Sequence, residues 1–183
     1  MKKTLFLPLL AVLYSCLSPD EISVLADPDV RALDQMLASA IVYHEGAQLN
    51  KLVELDGESE AIELGYDTMT IKKDLKTLME FPLARLITPT NYNKIKKEVG
   101  MLFERKEKEK KGPVSVFIGK NLEGKLNTLE IKFTEENYLY KSDQIINVKF
   151  DKEKMIGYKI IGNRKLIGLD PSNYRIEVSV EYP

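Results

Sequence analysis

After Pro113 the apolar period changes to two in segment after segment, as strands burying one face require. The last stretch is the clearest: Tyr174, Ile176, Val178, Val180 and Tyr182 fall on one face, and Arg175, Glu177, Ser179 and Glu181 on the other. Val114, Val116 and Ile118 alternate in the same way. So do Leu129, Ile131 and Phe133, with Thr128, Glu130 and Lys132 between them, and the segment from Tyr138 to Phe150 supplies Ile146, Val148 and Phe150. Turn-forming residues at Gly119 to Gly124, Glu135-Glu136-Asn137, Gly162-Asn163 and Asp170-Pro171-Ser172-Asn173 are expected to link these strands.

Helical spacing dominates before Pro113. Asp27-Pro28-Asp29 offers an N-cap acid, a proline for the first helical position and an acid in the first turn, and Val30, Leu33, Met36, Leu37, Ala40 and Ile41 follow at helical period. That helix is expected to reach His44 or Gly46. Asn50 to Leu55 reads as a strand stopped by Asp56-Gly57. Ile71, Leu75, Leu78 and Met79 mark a second helix, ended by Phe81-Pro82 because a residue before proline avoids the α region. Ala84 to Ile87 reads as a short strand. A third helix is expected from Thr90-Asn91, with Tyr92, Ile95, Val99, Leu102 and Phe103 on one face, running into the charged stretch Glu104 to Lys111. The expected fold is α+β, or layered α/β: a helix-strand-helix-strand-helix first half packed on a mainly antiparallel sheet, one domain over residues 27–183.

Composition narrows the chemistry. With one Cys and one His in 183 residues, a zinc ribbon, a disulfide framework or a Cys/His metal site cannot be assembled. Charge is nearly balanced overall, 27 basic against 28 acidic residues, yet unevenly distributed: residues 16–67 hold only Arg31 and Lys51 against twelve acids. The run Glu104 to Lys111 lacks interleaved aromatics and is broken by acids, so it is a poor nucleic-acid surface. Gly119 to Lys125 lies between strands and cannot present a helix N-terminus to phosphate. No cofactor or metal site is expected.

Any triad would need His44, which reads more simply as a polar residue at a helix C-terminus. Glu54, Asp56, Glu58, Glu60 and Glu63 form the densest acid group, in what reads as a loop; Glu58 and Glu60 are the pair that would serve a glycan hydrolase using two carboxylates. Tyr138, Tyr140, Tyr174 and Tyr182 lie on the expected strands and are the candidate contact residues for a partner, since tyrosine favours both strands and interfaces.

The N-terminus reads as an export signal over residues 1–15. Lys2 and Lys3 precede the apolar run Leu5 to Tyr14, which is too short to span a bilayer. Leu13-Tyr14-Ser15-Cys16 resembles the lipobox of bacterial lipoproteins, with Tyr14 larger than the residue usual at its position. That resemblance implies acylation at Cys16, a spacer over residues 16–26 and a membrane anchor in the cell envelope. Leu17 in place of an aspartate implies the outer membrane over the inner. The stretch Asp29 to Gly100, with Lys51 to Leu55 and then Arg85-Leu86-Ile87 followed by Asn91 to Glu98, is similar to the curli-export, flagellar FlgO-type and penicillin-binding-protein-activator group of envelope lipoproteins. It implies a non-catalytic protein that binds another protein of the envelope. The alternatives are a secreted or periplasmic hydrolase and a carrier of a small apolar ligand.

Overall fold

A computed structural model of the protein describes residues 27–39, 42, 44–80 and 82–183. The elements follow in the order α1 (Pro28–Ser39), β1 (Gln48–Leu55), β2 (Glu58–Gly65), α2 (Thr68–Asp74), α3 (Lys76–Glu80), α4 (Leu83–Leu86), β3 (Tyr92–Lys97), β4 (Gly100–Arg105), β5 (Ser115–Lys120), β6 (Leu126–Glu136), β7 (Tyr140–Asp151), β8 (Lys154–Leu166) and β9 (Ser172–Glu181). All nine strands join one sheet in the order β2-β1-β9-β8-β7-β6-β5-β4-β3. Every neighbouring pair is antiparallel.

Strands β3 to β9 form a meander in chain order, and the β1–β2 hairpin is added at its end by pairing β1 with β9. Alternation then sorts the side chains into two faces. One face carries Leu49, Phe103, Val116, Ile118, Leu129, Ile131, Ile146, Val148, Ile160 and Val178, all buried. The helices cover this face. Helix α1 lays down Val30, Leu33 and Leu37 at spacings of three and four, and Ile71 of α2, Leu75 at its C-cap and Leu78 of α3 do the same. Burying each such leucine or isoleucine contributes about 1.5–3 kcal/mol relative to leaving it in water. Two carboxylates fix the helices locally. Asp67 accepts from the Met69 and Thr70 N–H groups as the N-cap of α2. Asp34 on α1 accepts from the Leu83 and Ala84 N–H groups at 3.0 and 2.8 Å, tying α1 to α4. Burial raises the Asp34 carboxyl above its ordinary pKa, and the two N–H bonds oppose that rise.

The structure overturns the expected α+β arrangement. The sheet takes its strands from Gln48 through Glu181, and the described helices are short pieces laid on one side of it. The helix expected over 91–103 is the β3–β4 hairpin, with Tyr92↔Arg105 through Lys97↔Gly100 in register. Its apolar residues fit a period of 3.6 only because two short strands of period two meet at the Glu98-Val99 turn. Gly100 holds a φ of +155°, and a Cβ there would lie 2.2 Å from the Ile118 carbonyl oxygen. The segment Ala84 to Ile87, expected as a strand, lies instead in the one-turn helix α4 and its C-cap. The strand-then-helix order over residues 85–98, which carried the resemblance to the envelope lipoprotein group, is therefore reversed.

Three further expectations change. The acids from Glu58 to Glu63 lie on strand β2, because Asp56-Gly57, both at positive φ, turns the chain back onto β1 in place of merely ending it. Gly162-Asn163 sits inside β8 rather than in a turn, and the missing side chain at Gly162 makes room for the Tyr174 ring, 2.1 Å from where a Cβ would be. Helix α1 ends at Ser39, so His44 lies in the connection to β1. Ala40 and Ile41 lie outside the described residues, as do the signal segment, Cys16 and the spacer before Asp27.

Replacing Gly100 by Ala should cost about 1–3 kcal/mol, since both the backbone angle and the space are wrong for a side chain. Gly65→Ala, with nothing within 4 Å of its Cβ position and an ordinary φ, is the control and should change stability by less than about 0.5 kcal/mol. Urea titration followed by circular dichroism measures both.

Candidate interaction surfaces

The turns at one end of the sheet expose an unusual amount of apolar side chain. At the β6–β7 turn, Tyr138 is 81% and Leu139 51% exposed; at the β8–β9 turn, Leu166, Ile167 and Leu169 are 49%, 73% and 62% exposed. These two turns are joined, because the Ile167 N–H donates to the Leu139 carbonyl at 3.0 Å. Each is also fixed internally. Asn137 Oδ1 accepts from the Leu139 and Tyr140 N–H groups, and the Leu169 N–H donates to the Leu166 carbonyl. The β1–β2 turn is pinned alongside, with Asp56 accepting from the Asn173 N–H and from Ser172 Oγ, and Leu55 more than half exposed next to it. Large apolar residues held in ordered turns and left in water mark a contact surface more strongly than scattered exposed leucines do.

The candidate tyrosines divide between the two ends of the sheet. Tyr138 and Tyr140 belong to the apolar turn end, where Tyr140 Oη donates to Glu135 Oε2 at 2.8 Å. Tyr174 is at the same end but lies over Gly162, accepting a 3.0 Å bond from Gln144 Nε2. Tyr182 is at the opposite end, where its Oη donates to the Met155 carbonyl and its ring meets His44 edge-on at 5.2 Å. His44 packs in the same way on Tyr66, so the single imidazole is wedged between two rings.

A polar group missed in the sequence sits between sheet and helices. Lys51, on the helix-covered face of β1, reaches Asp74 at the end of α2 at 2.9 and 2.7 Å, with the two side chains 14% and 10% exposed. Tyr158 Oη donates to the same carboxylate at 2.7 Å. Burial, and then the bond to Asp74, hold the Tyr158 phenol well above its ordinary pKa, so it stays a proton donor in this clamp. Burial and the neighbouring Tyr182 push Tyr66 up to about 12. The signal for this clamp was present as the lysine interrupting the inward-facing sequence Leu49, Lys51, Val53. Its partner on a separate helix was not readable from spacing.

The uncovered face of the sheet forms a wide trough of about 1050 Å³ across strands β2, β1, β9, β8 and β7 as far as Thr128 of β6. Arg175, Glu177 and Lys159 line it as a mutual set: Arg175 Nε bonds Glu177 at 3.1 Å and Lys159 approaches it at 3.5 Å. The hydrogen bond from Arg175 is the main reason the Glu177 carboxyl falls below its ordinary pKa. Glu58 and Glu60 are on the exposed edge strand β2 and share its other face, while Glu63 points to the trough side. Among the described residues no group of three or more His, Cys, Asp or Glu is arranged to hold a metal ion, and no described helix is long and apolar enough to cross a membrane. No protein-family model matches the chain, and neither does any curated protein or solved structure.

Asp74→Asn should cost about 1–3 kcal/mol, because the Lys51 ammonium and the Tyr158 hydroxyl then share a weaker acceptor in a site nearly closed to water. Combining Lys51→Met with Asp74→Leu should cost less than the two single changes added together, as measured by a double-mutant cycle in urea.

Proposed function

We propose that the chain is a lipid-anchored protein of the bacterial cell envelope, without a reaction of its own, that binds a partner protein through the apolar turn end of its sheet. The observation that carries this reading is the ordered set Tyr138, Leu139, Ile167 and Leu169, exposed side by side on two hydrogen-bonded turns. A protein partner fits better than an anionic lipid surface, because Asp56, Glu135, Glu136 and Asp170 in or beside the same turns offset Lys141, Arg164 and Lys165 and leave no excess of positive charge to draw acidic headgroups. The anchor is the part of the reading supplied by Leu13-Tyr14-Ser15-Cys16. Acyl chains at Cys16, each buried methylene worth about 0.8 kcal/mol, would hold the domain at the membrane past a spacer of residues 17–26, with the outer membrane favoured.

The anchor and the surface are tested in one set of strains. The wild type should incorporate a palmitate analogue and fractionate with membranes, and Cys16→Ser should do neither. A photo-crosslinking residue placed at Leu139 should give a discrete protein adduct in cells, and Ile167→Ser with Leu169→Ser should abolish it while leaving the circular dichroism spectrum unchanged. An adduct that survives both serines removes the turn end from the reading. A wild type that takes no label and remains soluble removes the anchor.

A further inference from the structure

The two outer strands of the sheet carry opposite charge. Among the described residues strand β2 has β1 as its only neighbour and β3 has β4 as its only neighbour, so each presents one row of backbone N–H and C=O groups that no described strand pairs. On β2 the charged side chains are Glu58, Glu60 and Glu63; on β3 they are Lys94, Lys96 and Lys97. Among the described residues only Lys94 of these six has an ion pair, with Asp27. Charge on an outer strand ordinarily blocks pairing between like edges. Here it disfavours β2 against β2 and β3 against β3, and leaves β2 against β3 as the attractive combination.

We propose that copies of this chain associate head to tail, the β2 edge of one copy adding in parallel to the β3 edge of the next. The two strands run in the same direction, since seven strands lie between them in a fully antiparallel sheet. A copy added without flipping its helix layer to the other side therefore meets its neighbour in parallel. One register places an ion pair on each face of the sheet, leaving Glu58 beside Tyr92 and Lys96 beside Ile62. Pairing Glu60 with Lys94 and Glu63 with Lys97 puts one ion pair on the helix-covered face and one on the trough face. It also places Ala61 beside Ile95 and Ser59 beside Asn93, like with like. The hydrogen-bonding phase agrees: Leu55↔Glu58 closes the β1–β2 hairpin and Lys97↔Gly100 the β3–β4 hairpin, so the free backbone groups belong to Ser59, Ala61 and Glu63 on one edge and to Lys94 and Lys96 on the other. A contact of this kind is heterologous, so it closes into a ring or grows into a filament.

Two full-length variants, both carrying Cys16→Ser in mild detergent, test it: one has Ala61→Cys as its only thiol and the other Ile95→Cys. Mixed under mild oxidation they should give a disulfide-linked heterodimer, while each alone stays uncrosslinked. Adding Lys97→Glu to the second variant should cut the heterodimer yield several-fold, and Glu63→Lys in the first should restore it. High salt should lower the yield of the original pair. Homodimers in the unmixed samples would show like-edge pairing and overturn the proposal. Absence of the heterodimer at protein concentrations up to about millimolar would overturn it as well. The result is independent of the turn-end reading, whose serine variants leave both edges intact.

Discussion

Pairing of β1 with β9 joins the first described strand to the last. Eight consecutive residues from Gln48 to Leu55 face Glu181 to Tyr174 without a break in register. Closing so large a loop costs entropy that only grows slowly with length, and the return is a row of ladder bonds and a continuous apolar face from Leu49 across Val180. The helices depend on it. Lys51 of β1 and Tyr158 of β8 reach up to the same Asp74 carboxylate, so the end of α2 gains its charged partner when β1 joins the sheet. The Asp56 turn, bonded to Ser172 and Asn173, likewise takes its place beside the apolar turns through this pairing.

One-sided covering explains both candidate surfaces. A sheet of nine strands with helices on one face leaves the other to water, and alternation accordingly fills that face with Lys159, Arg175, Glu177 and their neighbours. The turn end lies beyond the helices, so Leu139, Ile167 and Leu169 find no cover there. The two outer edges are the remaining open features, and they differ from the turns in kind: backbone groups and charge at the edges, apolar side chains at the turns.

Strands β5, β6, β7 and β9 were legible because they bury one face and so show a period of two, whereas β8 was missed and Gly162-Asn163 within it was read as a turn. Tyr174 to Tyr182 gave the right face residue by residue at the Val178 and Val180 end. Strand β2 was not legible, since an outer strand is wet on both sides and Glu58-Ser59-Glu60-Ala61 carries no alternation; its one signal was Asp56-Gly57, a hairpin turn read as a stop. Strands β3 and β4 were misread because six-residue strands on either side of a two-residue turn mimic a helical repeat. Gly100, poor in a helix by about 1 kcal/mol, was the residue that argued against it. Of the candidate contact residues, Tyr138 and Tyr140 fall at the apolar turn end, whereas Tyr174 and Tyr182 are half-buried packing residues. The aliphatic residues that make that end distinctive, Leu139, Ile167 and Leu169, lie in turns where periodicity has nothing to say.

The β3 edge exists only if residues 92–105 are a hairpin, and the β2 edge joins the sheet only if β1 lies on β9; proton NMR reads the two directly. In antiparallel pairs that exchange no hydrogen bonds the Cα atoms approach to about 4.5 Å, giving strong contacts between α-protons. The Asp56 and Lys106 N–H bonds to Asn173 and Asn91 fix the phase and assign such contacts to Val53 with Ile176, Lys51 with Val178, and Lys94 with Phe103. Observing all three supports the sheet as described. Sequential amide–amide contacts running from Tyr92 through Phe103, with no α-proton contact from Lys94 to Phe103, would restore a helix there and remove the β3 edge and the nine-stranded sheet with it.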